Sequence, residues 1–249
     1  CKTIFRKKHM RWSSDGIVLN FSNYNEKSYI LEIFTEDYGK HKGLIRGLHS
    51  KNTRSTIEPG NEVRATWSGR LETHLGNYTL EPIKAWSSLA LSHKDRLSAI
   101  SSICSLISLT MAENQPNIEI YNSCKSLIKQ ISDNEETWIK EYIFWEMRLL
   151  SEIGYGLDLS KCAVTSNSNN LSYISPSSGR AVTDEGAGEY KSKLLPLPKF
   201  ITGETVKYTQ SDILNGLNLT EFFLKKRFFQ PNNLNFPQSR NRLKQLFST

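Results

Sequence analysis

The chain has only four cysteines in 249 residues, Cys1, Cys104, Cys124 and Cys162, and they stand far apart. Small secreted domains depend on dense, regularly spaced cysteines, so a disulfide framework is excluded and a reducing, cytoplasmic setting is expected. No two of them form a Cys-x-x-Cys knuckle, and one thiol cannot hold a structural zinc, which takes four ligands. Long apolar runs are also missing. None approaches the roughly 18 residues that would mark a membrane span, and the basic stretch Cys1–Met10 lacks the apolar core of a secretory signal. No membrane partner is expected.

Catalytic signatures are equally scarce. There is no GxxxxGK[ST] phosphate loop and no GxSxG elbow, and the five histidines (His9, His41, His49, His74 and His93) are scattered. Glu135, Glu136, Glu141, Glu146 and Glu152 read as the solvated polar face of an amphipathic helix rather than as paired catalytic carboxylates. Gly39-Lys-His-Lys-Gly43 is flanked by glycines but sits at a hairpin, not before a helix. The expectation is a protein that is not an enzyme, with no cofactor and no metal.

What the chain does have is asymmetric charge. Residues 1–86 hold 14 Lys/Arg against nine Asp/Glu, residues 87–190 eight against 13, and residues 191–249 ten against three. Two basic ends around an acidic middle suggest a polyanion, nucleic acid first, against the plain alternative of a solubility surface.

From Trp12 to Trp86 the texture is of short β-rich runs, Gly16–Phe21, Tyr29–Phe34, Gly43–Leu48, Val63–Trp67 and Tyr78–Ile83, punctuated by Asp37-Tyr-Gly39, Glu58-Pro-Gly60 and Ser68-Gly69. Five such strands fit a small barrel, of the OB or the SH3-like kind. After Trp86 helical periodicity takes over. Ser92 reads as the cap of a helix bearing Leu97, Ile100, Ile103, Cys104 and Ile107, and Pro116 opens another through Ile131. Trp138, Ile139, Tyr142, Ile143, Met147, Leu150 and Ile153 form the apolar face of a third, with a capping-box pattern at Ser132–Glu135 and a terminating Gly154. Helices are further expected around Ser211–Gly216, Leu219–Phe229 and Ser239–Leu246. Residues 1–9 read as an extension outside the native fold.

Two basic sets are candidate sites. Lys40, Lys42, Arg46, Lys51, Arg54, Arg64 and Arg70 lie on the third and fourth strands and the polar, flexible, acid-free loop His49–Thr56 between them; Trp67, Tyr24 and Tyr78 read first as core and second as stacking platforms. Near the C-terminus stand Lys225, Lys226 and Arg227, then Arg240, Arg242 and Lys244; a DNA path, an acidic partner peptide and simple helix capping all account for them.

Three runs make the chain recognisable: Leu149–Thr165 (LLSEIGYGLDLSKCAVT), Tyr173–Val182 (YISPSSGRAV) and Leu194–Ile201 (LLPLPKFI). They resemble the bacterial recombination mediator family RecO, in its branch without zinc-ribbon cysteines. Cys162-Ala-Val-Thr165 keeps one knuckle cysteine and has Thr where the next would be. The resemblance covers the chain from Met10 and implies an α+β protein: a five-stranded OB-fold barrel over residues 10–86, then a helical domain over residues 87–249 with a degenerate zinc-ribbon-like insertion at about 155–190. It implies a cytoplasmic, nucleoid-associated mediator that binds single- and double-stranded DNA and anneals complementary strands. With RecR as partner, such a mediator helps load RecA onto strands coated by single-strand-binding protein, whose acidic C-terminal tail it engages. The alternative is a general, RNA-associated OB module with a helical oligomerisation domain. A nuclease is a third, disfavoured class.

Overall fold

The computed structural model describes residues 10–26, 28–46, 51–71, 74–133, 135–203 and 207–248, and only the backbone of residues 51–53. The chain divides into two compact units, residues 1–134 and 135–249.

The first unit is built on a closed barrel of β1 (Met10–Asn25), β2 (Ser28–Thr35), β3 (Gly39–Arg46), β4 (Glu62–Gly69) and β5 (Asn77–Lys84), in the order β1-β2-β3-β5-β4. Between β3 and β4 lies the short helix α1 (Lys51–Thr56), so the stretch read from sequence as a flexible loop is in part helical. β1 serves two neighbours. Its first half pairs with β4 (Met10↔Gly69 to Ile17↔Glu62) and its second with β2 (Gly16↔Thr35 to Asn25↔Ser28). The strand turns near Gly16, where a Cβ would stand 2.6 Å from Ile33 Cγ2. The barrel closes by a parallel contact at Leu44↔Asn77, with Leu44 N–H donating to Gly76 O at 3.0 Å. This Greek-key order is that of the OB-fold and excludes the SH3-like alternative.

The barrel core is aromatic. Trp67 has no exposed surface and lies parallel to Trp12 at 5.9 Å; around the pair pack Val18, Leu31, Ile33, Ile45, Ile57, Val63, Ala65 and Tyr78. Trp67 and Tyr78, considered as stacking platforms, are therefore core. Trp67 Nε1 donates to Leu75 O at 3.1 Å, satisfying the only polar group of the buried indole.

The texture change at Trp86 marks the end of the strands but not of the compact unit, because three helices pack back on the barrel: α2 (Trp86–Leu89), α3 (Lys94–Thr110) and α4 (Ile118–Ser132). Asn61 ties them to it, its Nδ2 donating to Ser55 O at 2.7 Å and its Oδ1 accepting from Ser87 N–H at 3.0 Å. Ile100 of α3 lies so close to Gly60 (φ +91°) that a Cβ there would meet it at 2.2 Å. α3 buries Ile100, Ile103, Cys104 and Ile107 of its expected face together with Ala99, Ser102 and Leu106, while Leu97 is half-buried; α4 buries Ile120, Tyr121, Cys124, Leu127, Ile128 and Ile131. Their caps differ from expectation. The N-cap of α3 is His93 rather than Ser92, with no side-chain hydrogen bond, whereas Asn117 caps α4 through Ile120 N–H at 3.0 Å.

In the second unit α5 (Trp138–Glu152) begins at Thr137, and no capping box forms, because Ser132 is the last residue of α4 and its hydroxyl donates to Ile128 O and Trp86 O. Gly154 (φ +86°) ends α5 as expected: Tyr155 N–H donates to Leu150 O at 2.7 Å and Gly154 N–H to Ser151 O at 3.0 Å, the paired bonds of a Schellman turn. A small module follows, with β6 (Leu171–Ile174), β7 (Ala181–Thr183), α6 (Asp184–Ala187), a 3-10 turn (Gly188–Lys193) and β8 (Leu195–Pro196), its strands ordered β7-β6-β8. Ile174 and Val182 are buried in it, and Tyr173 Oη donates to Asp184 Oδ1 at 3.1 Å. Next, α7 (Gln210–Phe223), opened by a Thr209/Asp212 capping box, runs without a break into a π-helical turn (Leu224–Phe229). The last helix, α8 (Gln238–Leu246), follows Pro237.

Glu146 and Arg240 join α5 to α8, and both are fully buried. Arg240 Nε donates to Glu146 Oε1 at 2.5 Å, and Nη2 donates to Glu146 Oε2 at 2.9 Å and to Leu217 O at 2.8 Å. Tyr142 Oη and Thr220 Oγ1 complete the carboxylate's partners. This corrects two expectations at once: Glu146 is not on a solvated face, and Arg240 is no part of a surface patch. Removing one member leaves the other charged and buried, which costs about 3–5 kcal/mol. Arg240→Ala should lower the unfolding free energy by about that amount in urea denaturation, and Arg240→Met combined with Glu146→Leu should recover much of the loss.

Candidate nucleic-acid interface

Residues alternate in and out along β2 and β3, so the register defines the outer face these strands share: Phe34 opposite Lys40, Glu32 opposite Lys42, Ile30 opposite Leu44 and Ser28 opposite Arg46. Three of the first four residues, Phe34, Lys40 and Glu32, are covered, and Lys42 is exposed. Phe34 meets Tyr121 of α4 ring-to-ring at 6.0 Å. Lys40 is buried and donates to Ser108 O at 2.5 Å; burial, against the pull of Glu32 and Glu113, lowers its pKa below that of a free lysine. Ser108 also donates to the Glu32 carboxylate. Lys42 bonds Glu113 at 2.5 Å and lies 3.7 Å from Glu32. The Glu113 bond raises the Lys42 pKa, and the same bond holds the Glu113 carboxyl below its usual range. Lys40 and Lys42 thus fasten the barrel to the end of α3 and the segment after it.

The upper half of that face stays open. Ile30 and Leu44 are half-buried and Arg46 is exposed. Two connections flank it. The β1–β2 turn brings in Tyr24, 57% exposed, beside the Asn25–Ser28–Arg46 row of paired residues. The β4–β5 connection, held to β3 by the Leu44–Gly76 bond, carries the exposed Arg70, Leu71 and His74. Arg11, opposite Ser68 where β4 leads into this connection, is exposed as well.

Chain geometry separates the sequence candidates. β3 and β4 are not neighbours, because β5 stands between them. Arg64 is exposed on β4, but it is paired with Asp15 Oδ1 at 2.8 Å on β1 and faces Glu81 on β5, a mixed-sign surface away from the β2–β3 face. Arg54 is exposed on α1, and the side chain of Lys51, like residues 47–50, lies outside the described residues. Of the seven candidates, Arg46 is exposed at the end of β3, and Arg70 is exposed in the connection held to β3 at Leu44. Arg11 was missed because nothing in the linear sequence marks the first residues of β1 as neighbours of residue 69; only the β1–β4 register does.

The C-terminal set is largely committed within its own unit. Lys225 and Lys244 share the Glu221 carboxylate, at 2.5 and 2.6 Å. Burial works against ionisation of Glu221, and the two lysines outweigh it, so its pKa lies below the usual carboxylate value. Lys226 donates to Pro176 O at 2.8 Å and Arg227 to Ser177 O, clasping the turn between β6 and β7. Arg240 is internal, and Arg242 is exposed on α8. Among the described residues no three His, Cys, Asp or Glu side chains converge as a metal cradle, and no helix is long and apolar enough to cross a membrane.

A closed five-stranded barrel with an open strand 2–3 face, followed by a helical C-terminal half, places the chain among α+β proteins with an OB-fold. Family comparison is more specific. The family described as recombination protein O N terminal matches residues 10–86, and recombination protein O C terminal matches residues 92–233. A protein of Ruegeria sp. (strain TM1040) named DNA repair protein RecO is 38% identical over 234 residues, covering 94% of this chain and 96% of that protein. Proteins of the same name from Methylocella silvestris and Bartonella quintana are each 36% identical, covering 93% and 96% of this chain and 93% and 98% of theirs. The chain belongs to the RecO family.

OB-folds hold single strands on the strand 2–3 face and its flanking loops, through phosphate contacts and base stacking. If Arg11, Arg46 and Arg70 each meet a phosphate, each Ala substitution should reduce the slope of log affinity against log salt by about 0.7 on single-stranded DNA. Arg64→Ala should leave the slope within error of the parent. Fluorescence anisotropy across a salt series checks both.

Proposed function

We propose that this chain is a non-enzymatic mediator of DNA repair and recombination that binds single- and double-stranded DNA and anneals complementary strands. The observation that carries the reading is the open half of the β2–β3 face, with Arg46 and Tyr24 exposed at one end and Arg70 and Arg11 exposed by the β4–β5 connection that flanks it. Its relatives' shared name, DNA repair protein RecO, supports the biological setting. Arginines on a barrel rim need little geometric precision to meet phosphates, so one surface accepts strands of any sequence. Annealing follows from counter-charge: a cationic surface between two phosphate chains lowers their repulsion and lets complementary bases find register. The further roles belong to the same reading. RecR is the partner, the acidic tail of single-strand-binding protein is engaged, and RecA loading is the outcome. Five of the six C-terminal basic residues are bound within their own unit, so the tail's rim must draw on more than that set.

Annealing of complementary oligonucleotides, followed by fluorescence transfer with and without single-strand-binding protein, tests this. The parent should accelerate annealing in both conditions, and the Arg11/Arg46/Arg70→Ala variant should lose at least about tenfold in rate at physiological salt. Oligonucleotides should stay intact with added Mg²⁺ or Mn²⁺. No acceleration, with tighter binding to structured RNA than to DNA, would favour the RNA-associated module instead.

A further inference from the structure

In the ribbon implied by the family resemblance, two Cys-x-x-Cys turns hold a zinc ion with sulfurs at about 2.3 Å from the metal. The structure locates both turns in this chain. The first is Cys162-Ala-Val-Thr165. The second, invisible in the sequence because it has no cysteine, is Thr183-Asp-Glu-Gly186, delivered by the end of β7 and the start of α6. At the four corner positions stand one thiol, two hydroxyls and a glycine, a donor set that does not suit zinc.

The space is also closed. Sulfurs sharing a tetrahedral zinc lie about 3.8 Å apart by the geometry of the metal–sulfur distance. Here a Cβ on Gly186 would already be 2.9 Å from Cys162 Sγ and 3.2 Å from Thr183 Oγ1. What fills the centre is the sulfur of Cys162, which is fully buried. It accepts from Val164 N–H and Thr165 N–H at 3.4 Å each, from Thr183 N–H at 3.3 Å and from Thr183 Oγ1 at 3.5 Å. Thr183 Oγ1 in turn accepts from Gly186 N–H at 3.1 Å and lies 3.5 Å from Thr165 Oγ1.

We propose that Cys162 Sγ is the organising centre of this module, a metal-independent ribbon in which donors from both turns converge on one sulfur instead of four sulfurs converging on one ion. The arrangement accounts for Gly186, since any side chain there would occupy the place of the sulfur's neighbours. It makes the surface the module presents, with Val164 and Tyr190 each 67% exposed, independent of zinc supply.

The test is amide hydrogen exchange on the full-length chain, resolved at Val164, Thr165 and Thr183, together with metal analysis. In the parent these amides should exchange slowly, at rates unchanged by excess chelator, with well under one zinc per chain. Cys162→Ala should speed exchange at all three by at least about tenfold while barrel amides keep their rates, because local opening is read residue by residue. Cys162→Ser, which keeps a smaller acceptor, should fall between. Gly186→Ala should lower the melting temperature of the second unit. If Cys162→Ala does not fold, the parent and the Ser variant decide. Stoichiometric zinc, chelator-sensitive protection, unchanged protection in the folded Ala or Ser variant, or a neutral Gly186→Ala would each overturn the proposal.

Discussion

The fully buried indole of Trp67 governs the barrel end on which the functional argument rests. It is too large to share its end of the barrel with side chains, so the backbone that passes over it is glycine. A Cβ on Gly69 would lie 2.5 Å from the ring and one on Gly76, at φ +55°, 2.3 Å. Those two glycines bound the β4–β5 connection, and its Gly76 carbonyl is what β3 bonds to close the barrel. The same packing therefore closes the sheet and fixes the ends of the connection that carries Arg70. Enlarging either glycine would disturb both the closure and the connection that carries Arg70.

A second constraint decides which part of the barrel stays available. Helices α3 and α4 cover much of the lower half of the β2–β3 face. The buried charges Lys40 and Glu32 meet Ser108 there, and the exposed pair Lys42–Glu113 lies at the edge of the seam. Charges drawn out of water need partners, and here each has one. Lys40, read from sequence as part of a phosphate-binding patch, is consumed in holding the unit together, and Lys42 is ion-paired at the surface. The open surface shifts toward the β1–β2 turn and the β4–β5 connection.

Local physics was legible in the sequence and long-range pairing was not. All five strands and the main helices follow from alternation, apolar periodicity and turn residues, and Gly154 closes α5 as its position implies. The Ser132–Glu135 capping box failed because a cap is defined by where the previous helix stops, and α4 runs through Ser132. Glu146 looked like a surface charge because it is one of several glutamates along the helix, and Arg240 because its neighbours in sequence are polar; only the crossing of α5, α7 and α8 brings them together. Likewise nothing beside Arg64 in the sequence shows that Asp15 and Glu81 are its neighbours in space. The turn Thr183–Gly186 of the small module left no sequence trace, since a hydroxyl and a glycine at its ends carry no recognisable spacing.

The central claim is that nucleic acid lies along the open end of the β2–β3 face. Photo-crosslinking with a single-stranded oligonucleotide carrying reactive thymine analogues, followed by peptide mapping, tests it most directly. The account predicts adducts within residues 23–30, 44–46 and 68–77, with Tyr24 prominent because its ring is the exposed one. Adducts concentrated around Asp15, Arg64 and Glu81, or confined to residues 135–249, would contradict it.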